Sequence, residues 1–200
     1  MNKIVFYINK FYYGNDIDLS ELPSILVRKF SKLDKVAISS MLKCYEKNSA
    51  PKLVFGSVHG QIDRLKKLTE QYKSENEVSP IAFSASVHNN TIGVFSLINK
   101  INSSYTALSA GNETVSSCIC DSVLQLTEEN DVLMCCADVF EEKSIAVSVL
   151  FSLHKTENSI AVQLCRENST QSENEYKDFS DFLNGKNSCF NSQYFRLEKL

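Results

Sequence analysis

The chain has 200 residues, 21 Lys and Arg against 24 Asp and Glu, a net charge of −3, 43% hydrophobic residues, 6 Gly and 3 Pro. That balance lacks the basic footprint of a nucleic-acid binder, and it excludes disordered and collagen-like chains. A domain of this length buries about 70% of its unfolded surface, so it needs neither disulfide nor metal to hold a core.

No apolar run approaches the roughly 20 residues of a membrane-spanning helix. The N-terminal stretch MNKIVFYINKFYYG lacks the apolar core and small-residue cleavage site of a signal peptide. The expected location is the cytoplasm.

In chain order, residues 3–8 (KIVFYI) read as a β-branched and aromatic first strand, followed by an irregular loop over residues 9–23. Ile38, Met41, Leu42 and Tyr45 follow the spacing of an amphipathic helix. KLVFGSV is a second strand, and Ile62, Leu65, Leu68 and Tyr72 trace a second helix. Beyond the breaker Ser79–Pro80, one helical face carries Phe83, Val87, Thr91, Val94, Phe95 and Ile98. Residues 105–109 (YTALS) form a short strand, and Val115, Cys118, Ile119, Val123 and Leu126 form another helical stripe. Residues 131–137 (DVLMCCA) are the most apolar strand. Residues 144–153 and 159–165 read as two strands paired antiparallel across the turn HKTEN. Residues 166–175 read as a polar linker. Tyr176, Phe179, Phe182 and Leu183 then make a small helix, and SQYFRLEKL reads as a last strand.

This alternation implies an α/β fold: a mixed, mostly parallel sheet of about five strands with helices on both faces. The expected organisation is a domain over residues 1–165 and an appendage over residues 166–200. The seven cysteines have no framework spacing. Cys118 and Cys120 point to opposite sides of a helix and Cys135 and Cys136 to opposite faces of a strand, so the thiols read as small buried hydrophobes.

Reactive groups are few. His59 follows the second strand at its C-terminal end, where open α/β sheets place ligands. GSVHG is not a nucleophile elbow, because Ser57 directly follows Gly56. His88 lies in SASVHNNTIG at a helix start, and His154 reads as solvated. Ser57 or Ser109 with His59 or His88 is the pairing a small acyl hydrolase or transferase would use. The Glu128–Glu129 and Glu141–Glu142 pairs read as solvated turns. No metal site and no cofactor motif is found.

The informative stretch runs from Pro80 to Asp138, with a sharp turn at Ser109-Ala110-Gly111-Asn112 between strand and helix. A helix N-terminus directly after a strand is an anion-binding position, and a cysteine there would be a ready nucleophile. This chain has Gly111 instead.

The stretch resembles the N-terminal half of a β-ketoacyl synthase, the condensing enzyme of the thiolase-like fold. Pro80, Phe83, Asn89 and Gly93 match the family's approach segment, and residues 105–109 its strand before the elbow. Gly111 falls where the family's Ala-Cys-Ala elbow places its nucleophile. The group most similar is the β-ketoacyl synthase-like chain length factors of aryl polyene pigment pathways (type II polyketide biosynthesis), through Ser79 to Asn89 and the substituted elbow. The resemblance implies about half a thiolase-like fold, with the family's catalytic histidines in the other half. It therefore implies no catalytic residue here, and a heterodimer with an active β-ketoacyl synthase. The interface would be the strand Tyr105, Thr106, Ala107, Leu108 and Ser109. Phe83, His88, Thr91, Ile92 and Phe95 would be placed to shape the acyl tunnel. Acyl carrier protein would be reached only through the partner. A non-catalytic homodimer that binds an acyl chain remains a further alternative.

Overall fold

The computed structural model describes residues 4–165 and 172–200. The elements in order are β1 (Ile4–Gly14), α1 (Ser24–Val27), α2 (Lys32–Cys44), β2 (Lys52–Gly56), α3 (Ile62–Glu75), α4 (Pro80–Ser84) and α5 (Asn90–Asn99). They continue with β3 (Tyr105–Leu108), a 3-10 turn at Gly111–Glu113, α6 (Thr114–Gln125), β4 (Val132–Phe140), β5 (Lys143–Ser152), β6 (Ile160–Cys165), α7 (Glu175–Leu183), β7 (Cys189–Asn191) and β8 (Arg196–Lys199).

Local chemistry sets many of the boundaries. Ser31 and Asp34 form a capping box at the start of α2. Ser79 caps α4, with Pro80 in its first turn, where a missing N–H costs nothing. The Asn174 side chain accepts from Lys177 N at the start of α7.

The sheet has eight strands in the order β3-β2-β4-β5-β1-β6-β8-β7, not five. Nor is it mostly parallel: β2 runs parallel to β3 and β4, and every other pairing is antiparallel. The expected pairing of the strands at 144–153 and 159–165 with each other is also corrected. β1 lies between β5 and β6 and pairs antiparallel with both. β1 is also longer than expected, running on through Asn9 to Gly14 against β5, where the sequence suggests a loop. The side chains there earn the strand: Tyr13 and Ile8 pack on one face and Tyr12 on the other. The β5 that faces it closes a tight hairpin with β4, turning at Glu141, whose φ is 54°.

Helices cover both faces, as expected. On one face, α6 and α7 pack over Phe6, Ile8, Val54, Met134, Cys136 and Phe151. The Phe6 and Phe151 rings meet edge to face at 5.6 Å. Each such ring, fully buried, contributes about 1.5–3 kcal/mol. On the other face, α2 and α5 pack over Leu53, Phe55, Leu133 and Cys135. Cys135 and Cys136 thus serve opposite cores, as strand alternation requires. Cys44, Cys118, Cys135 and Cys136 are buried, whereas Cys120 is exposed. Burial pushes the Cys44 thiol up to about 12.

The long helix expected after Pro80 is two helices. Residues 85–89 turn between α4 and α5, and Arg64 Nη1 donates to Ala85 O across that break. The expected linker falls partly on residues 166–171, which lie outside the described residues. Beyond them, α7 joins the core under α6, and β8 pairs with β6 in the same sheet. Among the described residues no helix is long and apolar enough to cross a membrane.

Candidate functional site

The parallel strands β2 and β3 end together at Gly56 and Leu108 while β4 runs on to Phe140, and the loop after β2 meets β4 and α7 in one polar cluster. Its centre is Asp138, 8% exposed, near the end of β4. Its Oδ1 accepts from Ser57 Oγ at 2.7 Å and His59 N at 2.9 Å. Its Oδ2 accepts from Val58 N at 3.1 Å and Tyr176 Oη at 2.7 Å. All four partners are donors gathered on its two oxygens. Burial, with the Asp138 charge beside it, holds the Tyr176 phenol well above its usual range.

The serine and histidine candidates are brought near one another but not paired. Ser57 is fully buried, donates to Asp138 and accepts Gly60 N at 2.8 Å. The His59 ring stacks on Phe140, with centroids 4.7 Å apart. His88 Nε2 lies 2.9 Å from Leu108 O, which makes that nitrogen the protonated one. Gly60 has φ +55°, and a Cβ there would stand 2.8 Å from His88 Nδ1. Ser109 is exposed and reaches only Val58 O, at 3.5 Å. His154 reaches Glu128 O at 2.7 Å, far along the chain from this cluster. Among the described residues no serine–histidine hydrogen bond exists at this cluster, and Ser57 and the backbone of Val58 and His59 are gathered on Asp138 instead.

Beside the hub is the strand-to-helix turn. Ala110 N donates to Thr114 Oγ1, and Thr114 Oγ1 donates to Gly111 O at 2.7 Å. Gly111 has φ +57°, and a Cβ built there meets nothing within 4 Å. The left-handed backbone suits glycine, yet the position has room for a side chain. A cavity of about 120 Å³ adjoins it, lined by Val58, Gly111, Asn112, Thr114, Val115, Glu173, Asn174, Glu175 and Tyr176. Glu175 is 4% exposed, and its Oε2 accepts from Ser116 N at 2.9 Å in the first turn of α6. Burial raises its pKa, and the Ser116 contact opposes the rise. The periodicity of residues 176–183 showed α7, but nothing local showed that Glu175 and Tyr176 reach α6 and Asp138. Their partners lie 59 and 38 residues away in sequence. No group of three His, Cys, Asp or Glu side chains is placed to hold a metal among the described residues.

β3 is the edge of the sheet. Leu53 N donates to Ser104 O, and Ser57 N to Leu108 O. In a parallel ladder bonding residues alternate, so Thr106 also faces β2, while the N–H and C=O of Tyr105 and Ala107 face outward. Leu97 of α5, 80% exposed, and Leu124 of α6, 73% exposed, lie on the helices that flank this edge. The tunnel candidates divide. Phe83 is 58% exposed on α4, a helix that buries none of its residues. Ile92 and Phe95 are packed in the core under α2, and Thr91 Oγ1 donates to the buried Asp34 at 2.8 Å.

The family described as β-ketoacyl synthase, N-terminal domain, matches residues 9–187. Among solved structures, the chain is similar to a chain of a ketosynthase (ApeO) in complex with its chain length factor (ApeC) from Xenorhabdus doucetiae. The TM-score is 0.75 at 15% identity, over 98% of this chain and 99% of that one. A second likeness is to the ishigamide ketosynthase/chain length factor, with a TM-score of 0.52 at 9% identity, over 69% of this chain and 48% of that chain. No curated protein matches the chain.

Proposed function

The chain belongs to the β-ketoacyl synthase N-terminal domain family, and on that premise we propose that it is a non-catalytic, chain-length-factor-like subunit. It pairs with an active β-ketoacyl synthase in type II polyketide elongation of the aryl polyene kind, stabilising that enzyme and shaping its acyl tunnel. The observation that carries this reading is Gly111, at the strand-to-helix turn where the family resemblance places the nucleophile. A glycine there has no group that can form a thioester.

The free edge of β3 supports the pairing. An edge strand left bare invites association, and a partner strand would satisfy the outward groups of Tyr105 and Ala107. Exposed Leu97, Leu124 and Phe83 would be covered with it. Phe83 is the tunnel candidate that reaches the surface, where a partner can meet it. His88 fixes the segment after α4 to the end of β3. Thr91, Ile92 and Phe95 back that segment from inside. Acyl carrier protein engages the partner, and the complex works in the cytoplasm.

Co-expression with a full-length ketosynthase tests the proposal. The two chains are expected to copurify in equal amounts, and no complex would refute it. Native mass of the chain alone separates this reading from an acyl-binding homodimer. Intact mass after incubation with an acyl thioester is expected to show no adduct, which separates it from a hydrolase.

A further inference from the structure

We infer that Glu175 is the resident anion of the α6 N-terminus, and that it closes the β3–α6 turn to any other anionic or nucleophilic group. This rests on reading Gly111 as the elbow position, and it adds a second lock to the missing nucleophile. The α6 N-terminus offers backbone N–H groups and the positive end of a helix dipole. In this chain the offer is already taken: Glu175 Oε2 accepts from Ser116 N at 2.9 Å, with the side chain withdrawn from water.

Sterics do not close the turn. A Cβ at position 111 meets nothing within 4 Å, and the adjoining cavity of about 120 Å³ has room for a thiol. Charge does. Glu173 and Glu175 line that cavity together with Gly111, and among the described residues no cationic side chain lines it. Glu113, in the same turn, acts on Glu175 in the raising direction, as does burial. A thiolate at position 111 would therefore face a carboxylate, and it would lose the N–H and dipole that lower thiol pKa values at helix starts. Tyr176, hydrogen-bonded to Asp138 at 2.7 Å, holds the first turn of α7 in place.

The test compares G111C with G111C/E175Q, both in a C120S background that removes the exposed thiol. The pH dependence of alkylation by iodoacetamide at position 111 is followed by peptide mapping. The thiol in G111C is expected to react at pH 7.5 more slowly than a free cysteine peptide. Adding E175Q is expected to speed it at least tenfold. Equal rates in both variants, or a G111C thiol faster than the peptide, would overturn the inference. If G111C does not fold, the Ser116 amide carries the test by NMR in the unmodified chain and in E175Q. Its shift should titrate with the carboxyl in the former and stay flat in the latter, and a flat response in both would overturn the inference. Neither readout depends on a ketosynthase, so failure here is distinct from failure to form the complex.

Discussion

Asp138→Asn is the sharpest test of the hub. Asp138 gathers four donors on two oxygens: Ser57 Oγ, His59 N, Val58 N and Tyr176 Oη. An asparagine offers one oxygen, and its amide nitrogen would face two donors. Hydrogen bonds to a charged group contribute about 1.5–3 kcal/mol each, and a buried donor left unpaired adds to the loss. Only the backbone N–H must lose its acceptor, since the Ser57 or Tyr176 hydroxyl beside it can turn to accept from the amide; with that donor left buried and unpaired, D138N should cost about 4 kcal/mol. For a chain of this size each kcal/mol lowers Tm by about 2–4 °C, giving a fall of about 10 °C. Tyr176→Phe removes one donor and leaves three, so it should cost about 1–2 kcal/mol. Urea unfolding followed by circular dichroism measures both. A D138N loss below about 1 kcal/mol, or Y176F matching D138N, would refute the argument.

Three further outcomes are expected. Asp34→Ala removes a buried carboxylate that receives Gln61, Thr91 and Arg64 at 2.7, 2.8 and 2.9 Å, and should cost about 3–5 kcal/mol. In a double-mutant cycle with Arg64→Ala, measured by urea unfolding, the second change should then cost less than it does alone. Glu175 has a folded pKa above its ordinary 4.5, so its contribution is fully present below about 4.5 and is lost as pH rises through the raised value. Stability relative to E175Q should therefore fall as pH is taken from 4 to 7, and a rise in thermal melts would contradict this. Ala107→Pro removes an outward N–H without touching the β2 ladder. It should abolish ketosynthase copurification while Tm changes by only a few degrees.

Periodicity makes α2 and α6 legible, because each turns one apolar face to one core, and β4 is legible as an unbroken apolar run because it is buried on both faces. The helix after Pro80 was legible as apolar spacing but not as two pieces. Val87 and Thr91 keep the spacing across a break, where Arg64 reaches in to Ala85 O and His88 reaches out to Leu108 O. β1 reads short because Asn9 and Gly14 carry loop propensity, which pairing with β5 overrides. β5 and β6 were read as neighbours because nothing in a local window shows a third strand sliding between them. At the turn, Gly111 was legible from strand, glycine and helix in succession. Glu175 was not, since its meaning depends on a helix 59 residues earlier.

The place of β1 governs when this chain can fold during synthesis. It emerges before the other seven strands of its sheet, yet Tyr7 pairs with Ser152 and with Ala161, and Ile8 with Ile160. Until those residues emerge, β4 lacks its neighbour β5 and β1 has no partner strand. Contacts of such sequence separation form slowly, because a long loop must close before any of them is made. The sheet is therefore completed only after most of the chain has been translated. Until then, the apolar strand IVFYI is the segment most in need of a chaperone.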